Sequence, residues 1–414
     1  MTLEEAERLL QSREVFGMRF GLDRIRRLLT ALGSPQERLR VIEVVGTNGK
    51  SSTVRMAAAI LQEHGRRTGA YLSPHLGSFA ERVRIDGRDI SGEAFAAAVG
   101  RAAAAAEKVD RTGPDGDRVT QFELLTAAAL DAFAQAGVDL CVVEAGLGGR
   151  WDATNVLDAG VAVLTNVGLE HTRWLGPTIR DIAVEKLDVV RSGGVLVVGH
   201  GLDPDALAVA EAVCAERGVR LVRAPADPGQ DVQLAARGAF QRRNFALARA
   251  AADALLGGLD PAAVDRAARG TEVPGRLQQI GSDPDTFVDG AHNPAGIAAL
   301  VESLPEVTGG RPLVVCVGVR DDKDAAAMLA ALLDGAVALV ATRAGDERSL
   351  PPATLLSLAE QVGFAGAREA VADPGDALAR ARALAGPEGV VLATGSIYLV
   401  ADLLHPRRAV RSAL

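Results

Sequence analysis

The residues with the clearest chemical potential form the run Gly46-Thr47-Asn48-Gly49-Lys50-Ser51-Ser52. It lies between an apolar, β-branched stretch, residues 41–45, and a helical pattern that begins at Thr53. Strand, glycine turn and helix in that order aim backbone N–H groups and the positive helix end at one point, a cradle for phosphate. Lys50 adds a point charge, and a serine hydroxyl can hold Mg²⁺. The strict eight-residue P-loop pattern is not met, because its first glycine would fall at Val44. Read alone, the stretch also fits a glycine turn with a surface lysine.

Other reactive residue types recur where strands should end. Ser73-Pro74-His75 follows an expected strand over 68–72, and Glu144 ends the apolar run from Leu140, followed by Ala-Gly-Leu-Gly-Gly-Arg-Trp-Asp152. A carboxylate at the carboxyl tip of a buried parallel strand is suited to hold a metal beside a phosphate turn. Glu170-His171 closes a strand expected over 161–165, and the helix after it carries Lys186. Taken singly, His171 also reads as a satisfied turn histidine and Lys186 as a solvated helix lysine. A helix over 241–256 places Gln241 and Asn244 on one face. Past Pro274-Gly275-Arg276, a strand over 285–288 ends in Asp289-Gly-Ala-His292-Asn293-Pro294, where Asn293 can cap a helix whose first position is Pro294.

The elements that must position these residues alternate between strand and helix. Helices are expected near 3–12, 22–32, 91–108 and 121–136, with a polar loop over 110–118. Alternation restarts after residue 274, with strands near 285–288, 313–317, 337–341 and 389–393. The expected fold is α/β: a P-loop ATPase domain over 1–273, then a smaller Rossmann-like domain over 274–414, both with mostly parallel sheets. The 414 residues are 48% hydrophobic and 24% charged, with a net charge of −8, which disfavours a nucleic-acid surface. Cys141, Cys214 and Cys316 are far apart, as buried thiols in a reducing compartment would be. The start is a capping box, Thr2 with Glu5, rather than a leader, and no apolar run is long enough for a bilayer. A cytoplasmic location is expected.

Taken together, the ordered motifs resemble the folylpolyglutamate synthase/dihydrofolate synthase family of the Mur ligase superfamily. They are GTNGKSS, YLSPHL, ERVRI, TQFELLT, EAGLGGRWDATN, NVGLEHTRWLG, EKLDVVR, FQRRNFALA, PGRLQ, DGAHNP, DDKD and TGSIYL, running from Gly46 to Tyr398. The resemblance implies an ATP-dependent ligase that joins L-glutamate to dihydropteroate or a reduced folate through an acyl phosphate. It implies that Asn48, Gly49, Lys50, Ser51 and Ser52 hold phosphate. Two Mg²⁺ ions would draw on Ser52, Ser73, Glu144, His171 and a carbamylated Lys186, with a monovalent cation such as K⁺ as a possible addition. Asn244, Arg276 and Asp289 match nucleotide contacts, His292 a residue near the phosphates or the incoming glutamate, and Phe122 and Asp152 the pterin site. The family's usual turn has glycine where this chain has Ser51, which leaves open whether Ser51 or Ser52 meets the metal.

Two other readings compete. A Mur-type ligase for a cell-wall precursor would need a larger domain ahead of a phosphate turn that here begins by residue 46. A P-loop binding module without ligase activity leaves Lys186 and the whole second domain without a role. A monomer working on small molecules, without nucleic acid or membrane, is expected.

Overall fold

The computed structural model describes residues 1–13, 20–114, 117–229 and 231–406. The chain divides into two units, one formed by Met1–Leu234 with Arg243–Thr271, the other by Ala235–Arg242 with the described residues from Glu272 on. The helix Ala239–Leu256 therefore starts in the second unit and continues in the first.

In the first unit the run Arg40–Val45 forms β1, buried at all but its first residue, as a strand covered on both faces must be. Around it lie β2 (Thr68–Tyr71), β3 (Val83–Ile85), β4 (Arg88–Asp89), β5 (Leu140–Glu144), β6 (Ala159–Leu164), β7 (Val195–Val198) and β8 (Arg220–Arg223). The sheet order is β4-β3-β2-β5-β1-β6-β7-β8. Pairing is parallel from β2 to β8 across the sheet, with β3 and β4 added antiparallel at one edge. Since β1, β2, β5 and β6 run the same way, their carboxyl ends share one rim, which is where open α/β sheets bind ligands. Beneath it, Leu164, Leu196 and Val198 pack against Ile182, Ala183 and Leu187 of the helix Ile179–Leu187.

The second unit carries β9 (Gln278–Ser282), β10 (Asp285–Val288), β11 (Leu313–Val317), β12 (Ala336–Ala341), β13 (Ala367–Ala370) and β14 (Val390–Thr394). Their order is β13-β12-β11-β14-β10-β9, parallel except for the β9/β10 hairpin. Val315, Val317, Leu339 and Leu392 meet Ile297, Leu300, Met328 and Leu355 in its core.

The expected α/β class and the mostly parallel sheets are observed. The capping box at Thr2 and Glu5 is formed, with Glu5 N–H on the Thr2 hydroxyl and Thr2 N–H on the Glu5 carboxylate. The long alanine-rich helix extends further than expected, to Thr112, and shortens the polar loop after it. Residues 115 and 116 of that loop lie outside the described residues.

Candidate active site

Gly46 leaves β1 with φ +151°, and a β-carbon there would lie 1.8 Å from the Thr165 hydroxyl. Only glycine fits on either count. The turn is then held from the neighbouring strand end: Asn48 N–H donates to Asn166 Oδ1 (2.9 Å), and Asn48 O accepts from Thr165 Oγ1 (2.6 Å). Thr47 exchanges bonds with Gly168, its hydroxyl accepting from Gly168 N–H at 3.0 Å. Gly49, at φ +82°, caps the helix Lys50–Glu63, and the Asn244 side chain sits so close that a β-carbon at Gly49 would be 2.5 Å from its Oδ1. Asn166 and Thr165 were not among the expected site residues. Their position just past β6, on the same rim as β1, was the available signal.

The two serines part company. Ser51 Oγ donates to Glu144 Oε1 at 3.0 Å and lies 3.4 Å from the Ser73 carbonyl, whereas Ser52 is buried in the helix. The other oxygen of Glu144 accepts from Ser73 N–H at 3.1 Å. One buried carboxylate thus joins the ends of β1, β2 and β5. Among the described residues no three His, Cys, Asp or Glu side chains converge as a metal site. What the rim offers is hard oxygen, from the Ser51 hydroxyl, the Ser73 carbonyl and Glu144, the donor type Mg²⁺ prefers. Residues 51, 73 and 144 therefore fit such an ion.

Lys186, on the helix Ile179–Leu187, is 4% exposed and donates to the Gly46 carbonyl at 2.9 Å. Burial, helped by the charge of Lys50, pulls it down to about 7. Lys50 itself donates to the Thr47 carbonyl at 3.2 Å. Lys50, Glu170, His171 and Lys186 line one cleft with Gly146, Leu147 and Gly148. His171 is exposed at φ +52° and begins the short helix Thr172–Leu175. The glycine loop is laid directly on the lysine helix: a β-carbon at Gly149 would be 2.5 Å from the Lys186 carbonyl oxygen, and Arg150 N–H donates to Glu185 O at 2.9 Å.

Phe122, near the start of the helix Gln121–Gln135, lies against the same loop, its ring 2.6 Å from where a β-carbon of Gly146 would stand. Asp152 is buried; its Oδ2 accepts from Leu147 N–H (2.8 Å) and its Oδ1 from Thr154 N–H (3.0 Å). Burial raises its pKa, with these bonds working in the opposite direction. Phe122 and Asp152 are therefore both anchored on the loop over residues 146–152.

In the second unit, Asp289 is buried and commits both oxygens to backbone, Oδ1 to Ala291 N–H (2.7 Å) and Oδ2 to Leu277 N–H (2.8 Å). It thereby fixes the Arg276 loop to the His292 loop. Arg276 packs over Gly290, where a β-carbon would lie 2.2 Å from its Nη1, and His292 Nδ1 is 2.9 Å from the Gly290 carbonyl. Asn293 caps the helix Pro294–Thr308 through Gly296 N–H, as its sequence position implies.

A family model, the Mur ligase glutamate ligase domain, matches residues 275–397. A dihydrofolate synthase/folylpolyglutamate synthase of Mycobacterium tuberculosis is 37% identical over 84% of this chain and 81% of its own length. The chain belongs to the folylpolyglutamate synthase/dihydrofolate synthase family. This family sits in the Mur ligase superfamily and consists of ATP-dependent glutamate ligases, the class of enzyme to which the chain belongs. A probable bifunctional folylpolyglutamate synthase/dihydropteroate synthase of Haloferax volcanii is also 37% identical over 97% of the chain, which spans half of that relative's length. Among solved structures, the M. tuberculosis folylpolyglutamate synthase complexed with ADP superposes with a TM-score of 0.91 at 33% identity, covering 97% of both chains. A Yersinia pestis folylpolyglutamate synthase/dihydrofolate synthase complexed with AMPPNP and Mn ion gives 0.85 at 29% identity, covering 98% of both. Nucleotide and divalent metal thus belong to the chemistry of this family.

Proposed function

We propose that this chain joins L-glutamate to dihydropteroate and to reduced folates, using ATP. The observation that carries the reading is the loop over residues 146–152, which holds Phe122 and Asp152 on one side and rests on the lysine helix on the other. An aromatic face and a carboxylate suit a pterin, which stacks and presents N–H donors.

The turn over residues 46–52 would bind the triphosphate, with Lys50 and the helix N-terminus drawing off negative charge as the acceptor carboxylate attacks the γ-phosphorus, the bond to the β-phosphate oxygen breaks and ADP leaves. The resulting acyl phosphate is opened by the glutamate amine, and phosphate leaves. Ser51, Ser73 and Glu144 would hold Mg²⁺, with His171 and Lys186 for a second ion; bound there, the metal supplies charge neutralisation at the phosphates. The reading that Lys186 is carbamylated is supported by its enclosure, since burial pulls it down to about 7 and so favours the neutral amine that reacts with CO₂. As a carbamate it would present oxygen toward the cleft where an ammonium would repel a cation. Ser52, buried in its helix, serves the turn through its backbone. Asn244 beside Gly49, and Arg276 with Asp289 in the second unit, are assigned to the nucleotide, and His292 to phosphate or glutamate. The reading includes two Mg²⁺ and a monovalent cation such as K⁺, in a cytoplasmic monomer. Buried, unpaired Cys141, Cys214 and Cys316 accord with a reducing compartment.

The test is phosphate release with ATP, Mg²⁺ and L-glutamate, offering dihydropteroate, tetrahydrofolate or a cell-wall peptide precursor. Turnover with both pteridines and none with the precursor is expected. Turnover with the precursor alone would overturn the substrate assignment and leave the ligase chemistry standing.

A further inference from the structure

Glu43 stands in the middle of β1, wholly buried, a charged residue type among the apolar residues that follow Arg40 in the strand. Its Oε1 is 2.7 Å from the hydroxyl of Thr154, and among the described residues its Oε2 meets no hydrogen-bond partner. The same hydroxyl is 2.8 Å from Oδ1 of Asp152. A threonine hydroxyl has a single hydrogen, so it cannot donate to both carboxylates. Two ionised oxygens facing one hydroxyl at these distances would leave one contact as a repulsion between lone pairs. One carboxyl must therefore carry a proton.

The surroundings decide which. Asp152 receives the backbone N–H groups of Leu147 and Thr154 besides the hydroxyl, whereas among the described residues Glu43 has no other donor. The ionisable groups around Glu43 are Asp152, Arg191 and Cys141. Arg191 spends its guanidinium on the carbonyls of Asn155 and Leu157, and Cys141 is buried and pushed up to about 12. Burial, reinforced by Asp152, pushes Glu43 up to about 8 against the pull of the Thr154 bond and of Arg191.

We propose that Glu43 is a neutral acid and a positioning residue for the acceptor site: its O–H donates to Thr154 Oγ1, which turns the threonine hydrogen onto Asp152 Oδ1. Asp152 is then the single negative charge of the trio, held in one orientation on the glycine loop. The inference rests on the reading that Asp152 faces the pterin, and it adds the parts that aim it. Its specific consequence is that a neutral donor at position 43 can replace the glutamate, whereas a side chain without one cannot.

The experiment compares Glu43→Gln, Glu43→Ala, Thr154→Val and Asp152→Asn in the full-length enzyme, with separate KM values for dihydropteroate and ATP and with infrared spectra. Glu43→Ala and Thr154→Val should raise the dihydropteroate KM about tenfold, the scale of one hydrogen bond to a charged group, while the KM for ATP stays put. Glu43→Gln, whose amide donates in place of the acid, should recover most of that loss. At pH 7 the wild type should show a protonated-carboxyl band that shifts with ¹³C-glutamate labelling and vanishes in Glu43→Gln. Absence of that band, or a Glu43→Gln enzyme as impaired as Glu43→Ala, would overturn the proposal; the band and the glutamine variant suffice if the alanine variant fails to fold. Were Asp152→Asn to leave the dihydropteroate KM unchanged, the pterin reading would fall, while the band would still report on the proton of Glu43.

Discussion

Gly149→Ala is a stringent test of the loop that carries the proposed acceptor site. The new methyl group would meet the Lys186 carbonyl oxygen at 2.5 Å and that of Glu185 at 2.7 Å, both backbone atoms that no rotamer change can move. Ordinary contact begins near 3.4 Å, so loop and helix must separate by roughly 0.9 Å. That displacement would stretch the 2.9 Å bond from Arg150 N–H to Glu185 O beyond useful length, at about 1 kcal/mol, on top of about 1–3 kcal/mol for the overpacking itself. The half-exposed pair of Arg150 and Glu185 adds little. A loss of about 2–4 kcal/mol in urea denaturation is expected. Because Lys186 and Asp152 move apart with the two pieces, kcat should fall by up to about 10²-fold. Gly160→Ala, where a β-carbon meets nothing within 4 Å, is the control and should stay within about 0.5 kcal/mol of wild type. Wild-type stability and turnover in Gly149→Ala would refute the docking of loop on helix.

Lys50→Ala should keep its circular dichroism and urea midpoint but lose about 10²–10³-fold in kcat, the scale of a group that offsets transition-state charge; near-normal turnover would remove the turn from the chemistry. Lys186→Arg should be inactive, because it keeps a charge and cannot be carbamylated, and ¹³C-bicarbonate should give the wild type a carbamate resonance that this variant lacks. Glu43 gives a pH signature whose sign is fixed. Its folded value of about 8 lies above the ordinary 4.5, so its contribution to stability is fully present below 4.5 and lost as pH rises through 8, on the order of 5 kcal/mol across that window. Denaturant stability measured relative to Glu43→Gln should fall over that range; a flat difference would mean Glu43 is not held neutral.

Strands buried on both faces were easiest to read, because β5 and β11 are short, largely apolar runs rich in β-branched residues, and β1 reads so apart from Arg40 and Glu43. Edge strands were not. β9, Gln-Gln-Ile-Gly-Ser, and β13, Ala-Arg-Glu-Ala, have neither alternation nor β-branched bulk, and only their neighbours make them strands. In the site, Lys50 and Glu144 were visible because each ends or begins an element at a recognisable spacing. That Ser51 rather than Ser52 bonds Glu144 was hidden, since adjacent residues at a helix start differ only in the face they present. Asp289 reads as a ligand-facing acid in sequence; that its oxygens also accept from the N–H groups of Leu277 and Ala291, the first twelve residues away, is something no local pattern announces.

The bond between Thr165 and the Asn48 carbonyl has a consequence for how this turn can vary over generations. Position 46 is closed to side chains twice over, by its dihedral angle and by the Thr165 hydroxyl standing where a β-carbon would go. Trimming Thr165 to alanine would remove the hydroxyl, but it would leave the Thr165 β-carbon at 3.1 Å, take from the Asn48 carbonyl the shorter of its two donors, and leave φ at +151°. No single second-site change therefore compensates for a substitution at Gly46, and intermediates on any two-step route begin from a broken turn. In a saturation library, position 46 should return only glycine, even among clones already selected for compensating changes at position 165.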